Sequence, residues 1–234
     1  DEAEKVNDSS QNALLKVLEE PPGFCVIILL CSRLDKMLPT TLSRCQLVRF
    51  GAVDEARIAD ALKREGVSPT EATYWARFSQ GSLGRARAWA SLALKDTTPY
   101  AIKRELADKL ASLTLPDAVD TAEWMGKSAR LIAGAWKSAA ENVSTTDINR
   151  RAQKGLIQMV IAVLHDVMRL SIGQSDQLAN EDQKRPIEAA ARRYDAETAA
   201  RHIEFCYQMN RWIDASVNEK LIFEQLMLQL SSFE

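Results

Sequence analysis

Residues 12–31 read NALLKVLEEPPGFCVIILLC, a helical pattern followed directly by a run of apolar and β-branched residues. The apolar side chains that share one helix face are Ala13, Leu14, Val17 and Leu18. Pro21 and Pro22 end this helix, because proline lacks the amide that the next turn needs. The run at 24–31 is typical of a strand covered on both faces in a parallel sheet. The stretch therefore predicts one helix and one strand of a doubly wound α/β domain.

The surrounding residues extend this prediction to a domain fragment at 1–50. Asp8 is predicted to cap the helix, with Gln11 three residues further on. A loop and a short edge strand at 47–50 would follow the buried strand. These elements are too few for a whole α/β domain. We therefore expect the C-terminal part of one, cut from a longer parent chain.

From residue 51 onward the pattern is helical. Three short helices are predicted at 51–95, the first over 54–65 and the second from Pro69 to Gly81. Ser68 and Glu71 form a capping box around a proline at the first helical position. Ser82 is predicted to cap the third helix. This segment should form a small helical lobe.

Longer helices are predicted in the remaining segment, 96–234. Their expected ranges are 99–113, 116–142, 146–172, 186–194, 196–216 and 219–232. The polar stretch from Gln174 to Lys184 is predicted to be a mobile loop. The expected fold class is therefore mainly α, with an α/β remnant at the beginning of the sequence.

Composition narrows the possible functions. The net charge of −2 creates no global field that would attract nucleic acid or anionic lipid. The four cysteines lack C-x-x-C spacing, so we expect reduced, buried thiols in a cytoplasmic protein. His165 and His202 have no metal-ligating neighbour one turn away, so no metal site is expected. Gly126-Lys127-Ser128 mimics the end of a phosphate-binding loop, but it lacks the earlier glycine and lies in a helical segment.

Several strings resemble the AAA+ clamp-loader subunits of bacterial DNA polymerase III. Residues 12–22 match a signature string of that family almost letter for letter, and residues 1–5 resemble the end of its Walker B motif. Residues 38–45, LPTTLSRC, resemble the motif whose Ser-Arg-Cys carries an arginine finger. Residues 81–86 resemble the start of the third lid helix, and residues 218–224 resemble the last collar helix.

The resemblance implies three parts and a set of site residues. Residues 1–50 would be the end of the AAA+ nucleotide-binding domain, residues 51–95 a three-helix lid, and residues 96–234 a helical collar that joins subunits. Arg44 would be an arginine finger acting in trans, against the alternative of an ordinary surface arginine. Asp1 and Glu2 would be the remnant of the Walker B motif, but without the preceding strand we expect them to be a pair of charges at a fraying chain end. Ser32 could be a sensor 1 residue or simply the end of a strand.

The lid helix separates two subunit types within the family. Hydrolysing members carry arginine directly after Gly-Ser-x, and here that position is Gly84. This favours the non-hydrolysing delta-prime type over the gamma/tau motor, and a non-replicative AAA+ scaffold is the third alternative. Expected partners are other clamp-loader subunits, the sliding clamp and primed DNA in a hetero-oligomer. ATP and Mg²⁺ are expected at neighbouring subunits and no cofactor in this segment, whose parent would belong to a DNA polymerase complex.

Overall fold

The computed structural model describes residues 3–139, 143–176 and 178–232. The chain divides into two units, residues 1–51 and residues 52–234. They are called the N-terminal unit and the helical unit below, and each is described by itself.

The N-terminal unit is built around two helices, α1 (Asp8–Glu19) and α2 (Pro39–Leu42). Short 3₁₀ turns lie at Ala3–Lys5 and Leu34–Lys36. The side chain of Asn7 accepts a hydrogen bond from the Ser10 amide at 2.8 Å and caps α1. The predicted cap at Asp8 is therefore wrong by one residue.

The predicted strands at 24–31 and 47–50 do not form. Among the described residues of the chain there is no strand, and the side chains of Phe24 and Phe50 are 94% and 91% exposed. A strand needs a neighbouring strand to accept and donate its backbone hydrogen bonds, and the described residues supply none. Cys25 lies in this segment and is exposed, contrary to the expected burial of the thiols. The mainly α fold is confirmed, but the remnant contains helices and irregular backbone.

The first three helices of the helical unit are α3 (Glu55–Arg64), α4 (Pro69–Phe78) and α5 (Leu83–Ala90). Their caps are side chains that accept amide hydrogen bonds from the first turn, supplied by Asp54, Ser68 and Ser82. The two serine caps were predicted from the sequence and are confirmed.

Six further helices complete the unit. They are α6 (Pro99–Ala111), α7 (Ala118–Ala139), α8 (Thr145–Ser171), α9 (Lys184–Ala191), α10 (Ala196–Asp214) and α11 (Glu219–Ser231). All six predicted helices are confirmed to within a few residues at most ends. The longest, α8, packs against α7, α9 and α10, so its apolar residues lie in the centre of the bundle.

One hydrophobic core runs through the helical unit from Ile58 to Leu230. The ring of Trp89 on α5 stacks on Trp75, with 5.7 Å between ring centroids, and lies edge-on to Trp136 of α7 at 4.8 Å. The lobe and the long helices therefore share a core. The division into a lid at 51–95 and a collar at 96–234 stays a prediction.

The polar segment that follows α8 is anchored, contrary to the mobile loop predicted at 174–184. Asp166 on α8 accepts hydrogen bonds from the amides of Ala179 and Asn180, each at 2.8 Å. Lys103 on α6 is buried and donates to Asp182 at 2.5 Å, and its burial lowers its pKa. Fixed polar partners therefore hold residues 179–182 of this segment, and residue 177 lies outside the described residues.

Candidate functional site

A buried side-chain carboxamide, that of Gln11, organises the candidate site of the N-terminal unit. The Gln11 side chain on α1 donates from Nε2 to the Val6 carbonyl at 3.0 Å. Its Oε1 accepts a hydrogen bond from the Leu38 amide, also at 3.0 Å. A carboxamide can do both because it carries a donor and an acceptor. Gln11 thus fixes the residue that precedes α2 against the first turn of α1.

Helix α2 is a single turn that ends immediately before the predicted finger. Pro39 occupies its first position, where a missing amide has no cost. Thr41 is buried, and its carbonyl accepts a hydrogen bond from the Arg44 amide at 3.2 Å. The Ser43 hydroxyl donates to the Thr40 carbonyl at 3.0 Å. The backbone of Arg44 is therefore set by the hydrogen bonds at the end of this turn.

The guanidinium of Arg44 is held by its own chain. Its Nε and Nη2 atoms lie 2.6 Å and 2.5 Å from the same oxygen, Oε1 of Glu19, the last residue of α1. Nη1 donates to the Thr40 carbonyl at 2.9 Å. The Arg44 side chain is still 35% exposed. The structure thus shows an oriented, partly exposed guanidinium at the junction of α1 and α2.

Ser32 has a carboxylate partner in the first 3₁₀ turn. Its hydroxyl donates to Oε1 of Glu4 at 2.5 Å, and its amide donates to the same oxygen at 3.2 Å. The Ser32 hydroxyl lowers the pKa of Glu4 to about 2, since both bonds favour the ionised form. Glu4 is therefore an anion at neutral pH, and Ser32 is oriented by it.

The predicted site residues fall into separate places. Asp1 and Glu2 lie outside the described residues. Within the described part of the chain, no hydrogen bond joins Ser32 to Arg44. The sequence reasoning missed the two acidic partners, Glu4 and Glu19. Both stand in strings that carry the family resemblance, but nothing in those strings pairs them with Ser32 or Arg44.

The structure also describes Gly84, on which the expected choice between subunit types rests. Gly84 is the second residue of α5, and a Cβ atom added there would meet no heavy atom within 4 Å. The next residue, Arg85, donates its amide to the Ser82 cap at 3.2 Å. Gly126-Lys127-Ser128, which mimics the end of a phosphate-binding loop, lies inside α7 and therefore forms no loop.

Both histidines belong to the helical unit, His165 on α8 and His202 on α10. The residues that the structure describes contain no cluster of three metal-ligating side chains. Burial lowers the pKa of both His165 and His202. His202 packs edge-on against Tyr194, with 5.2 Å between the rings. Among the described helices, none is long and apolar enough to cross a membrane.

Two family models match the chain. The model of the DNA polymerase III delta subunit matches residues 1–54, and the model of the C-terminal part of the delta subunit matches residues 140–232. The DNA polymerase III subunit delta' of Bacillus subtilis is 22% identical over 228 residues, which is 97% of this chain. The chain is therefore similar to the delta and delta' subunits of DNA polymerase III along most of its length.

Gamma/tau subunits match shorter parts of the chain. The DNA polymerase III subunit tau/gamma of Haemophilus influenzae is 32% identical over 116 residues, 48% of the chain. The gamma/tau subunit of Mycobacterium tuberculosis is 36% identical over 78 residues, 32% of the chain. The chain spans 63% of the length of the Bacillus relative, and 16% and 14% of these two gamma/tau subunits.

Proposed function

We propose that this chain supports the assembly of a DNA polymerase III clamp-loader ring and offers Arg44 in trans to ATP bound by a neighbouring subunit. The oriented, partly exposed guanidinium of Arg44 carries the proposal. The ring would load the sliding clamp onto primed DNA.

The chemistry of ATP hydrolysis explains why an arginine suits this place. Phosphoryl transfer spreads negative charge over the γ-phosphate oxygens, and a guanidinium supplied in trans stabilises that charge. Arginine presents planar, paired donors that stay protonated, whereas lysine presents one mobile ammonium. Because α2 and Gln11 fix its backbone, Arg44 would reach a neighbour from a defined starting point.

The same proposal makes the subunit itself non-hydrolysing. Gly84 offers no side chain at the place where hydrolysing relatives carry arginine. ATP and Mg²⁺ would act at neighbouring subunits. If Asp1 and Glu2 belong to a Walker B motif, Ser32, whose hydroxyl is oriented by Glu4, would be the sensor 1 residue.

The gamma/tau motor remains the second candidate, because the Haemophilus gamma/tau subunit is 32% identical over 116 residues. The upstream sequence of the parent decides between the two. An intact G-x-x-x-x-G-K-[ST] loop there favours the motor, and its absence favours delta-prime.

Assembly is assigned to the helices at 96–234. Several large apolar side chains remain exposed on these helices, and these are Val119, Leu131, Tyr207, Leu221 and Leu228. Apolar side chains left in water by one chain are suited to contacts with another. We propose that these helices bind the other clamp-loader subunits of a hetero-oligomer.

Arg44→Ala in the reconstituted complex tests the finger. We expect the ring to assemble and ATP turnover at the affected site to fall at least ~10²-fold, since that site loses its transition-state charge. Total ATPase should fall less, because other sites keep their own fingers. Arg44→Lys should restore little activity. Steady-state ATPase with clamp and DNA, together with gel filtration, measures these effects.

The control is Arg33→Ala, which removes an exposed arginine paired with Asp35 at 3.0 Å in the same unit. That variant should keep normal ATPase. Normal ATPase and clamp loading in an assembled Arg44→Ala complex would show that Arg44 is an ordinary surface arginine.

A further inference from the structure

The contact between Arg44 and Glu19 extends the proposed function. Glu19 closes α1, and Pro21 follows two residues later, so the helix has a fixed end at this carboxylate. Both Nε and Nη2 of Arg44 converge on Glu19 Oε1, at 2.6 Å and 2.5 Å. The two residues are 25 positions apart, so the contact is formed by the fold and not by local sequence.

The remaining donors of the guanidinium are also directed. Nη1 donates to the Thr40 carbonyl at 2.9 Å and lies 3.3 Å from the Ser43 hydroxyl. A guanidinium has five N–H groups in one plane. With Nε, Nη1 and one N–H of Nη2 engaged, the second N–H of Nη2 is left without a protein acceptor among these contacts. The plane of the group is therefore set before any nucleotide approaches.

We propose that Glu19 is the positioning residue of the arginine finger. A free arginine side chain samples many rotamers, and restricting it to one has an entropic cost. Glu19 would restrict the Arg44 side chain to one orientation within the subunit, so that Arg44 enters the neighbouring site already oriented. This inference rests on the proposed function of Arg44, and the experiment below separates the two.

Simple electrostatics predicts the opposite change in ATP turnover when Glu19 is neutralised, so the experiment can distinguish the two explanations. Glu19 is an anion beside the group that must meet a phosphate. If charge alone mattered, removing it would make Arg44 more attractive to ATP and raise turnover. If orientation matters, the same change lowers turnover, because a guanidinium misplaced by about 1 Å can lose a factor of about 10² in rate.

Glu19→Gln in the reconstituted complex is the informative variant, since it keeps the shape and removes the charge. We expect kcat of the stimulated ATPase at the affected site to fall about tenfold, between wild type and Arg44→Ala. KM for ATP should stay unchanged, because the neighbour binds the nucleotide. The double variant Glu19→Gln with Arg44→Ala should be no slower than Arg44→Ala alone.

The matched control is Glu20→Gln, which removes the adjacent, exposed carboxylate, one that forms no ion pair among the described residues. It should keep wild-type kcat. Faster or unchanged turnover in Glu19→Gln, while Arg44→Ala is slow, would overturn the positioning role and leave the finger intact. Normal turnover in Arg44→Ala would instead remove the finger itself, and the positioning role with it.

Discussion

Different interactions stabilise each of the two units. The helical unit has a continuous core of buried apolar side chains from Ile58 to Leu230. In the described residues 3–51, the buried apolar side chains are Ala3 and Met37, while Phe24 and Phe50 are exposed. Since burial of apolar surface is the main stabilising contribution to folding, the helical unit should be the stable one.

The N-terminal unit depends instead on a few directed polar contacts. Gln11 fixes the start of α2, Glu19 holds Arg44, and Glu4 holds Ser32. Each such hydrogen bond contributes only about 0.5–1.5 kcal/mol net. The comparison teaches that the candidate catalytic side chains lie in the unit with the least core, where their orientation depends on individual partners.

Hydrogen exchange should show the largest difference between the units. Within the described residues, the amides of 26–31 donate no backbone hydrogen bond, whereas those of 156–168 lie in the buried helix α8. Opening the core requires global unfolding, so we expect exchange at 156–168 to be at least about 10³-fold slower. Exchange followed by mass spectrometry measures both segments. Equal protection would mean that 24–31 is covered in solution.

A pair of phenylalanine variants measures the same contrast as stability. Phe223 on α11 is 1% exposed and Phe24 is 94% exposed. Phe223→Ala should lower the free energy of unfolding by about 3–5 kcal/mol, through lost burial and a cavity. Phe24→Ala should change it by less than about 0.5 kcal/mol. Calorimetry of both variants provides the measurement. A loss above about 1 kcal/mol for Phe24→Ala would contradict the exposed placement.

The sequence predicted the helical unit well because its signals are local. Serine caps, glycine stops and a repeat of apolar residues act within one or two turns, and Ser68, Ser82 and the long helix α8 were found in this way. The prediction of a strand at 24–31 was wrong for a physical reason. A run of apolar residues indicates that a segment prefers burial, but a strand forms only where a second strand completes its hydrogen bonds.

Long-range polar partners were not predictable from pattern. Lys103 reads as a surface lysine of an amphipathic helix, yet it is buried and bonded to Asp182, 79 residues away. Glu19 and Glu20 are adjacent acids before a proline pair, yet among the described contacts only Glu19 of the two is bonded to Arg44. Spacing along the chain carries no information about which side chains meet after folding. The family resemblance pointed to Arg44 and Ser32 but gave no partner for either.

The smallest predicted effect tests how tightly the helical unit is packed. Gly155 lies within α8, and a Cβ atom added there would stand 2.2 Å from Cζ2 of Trp89. The Trp89 ring has little room to move, because Trp75 stacks on it and Trp136 meets its edge at 4.8 Å. Gly155→Ala should therefore cost about 1–3 kcal/mol through overpacking, more than the ~1 kcal/mol that alanine contributes to a helix.

Gly134 on α7 provides the matched control for that substitution. A Cβ atom added there meets no heavy atom within 4 Å, so Gly134→Ala keeps the helix propensity of alanine without a clash. It should stabilise the protein by about 0.5–1 kcal/mol, whereas Gly155→Ala should destabilise it. Urea unfolding followed by tryptophan fluorescence measures the stability of both variants, since all five tryptophans lie after residue 51. If both variants were stabilised, the Trp89 ring would have room to yield, and the helical unit would be packed more loosely than its core indicates.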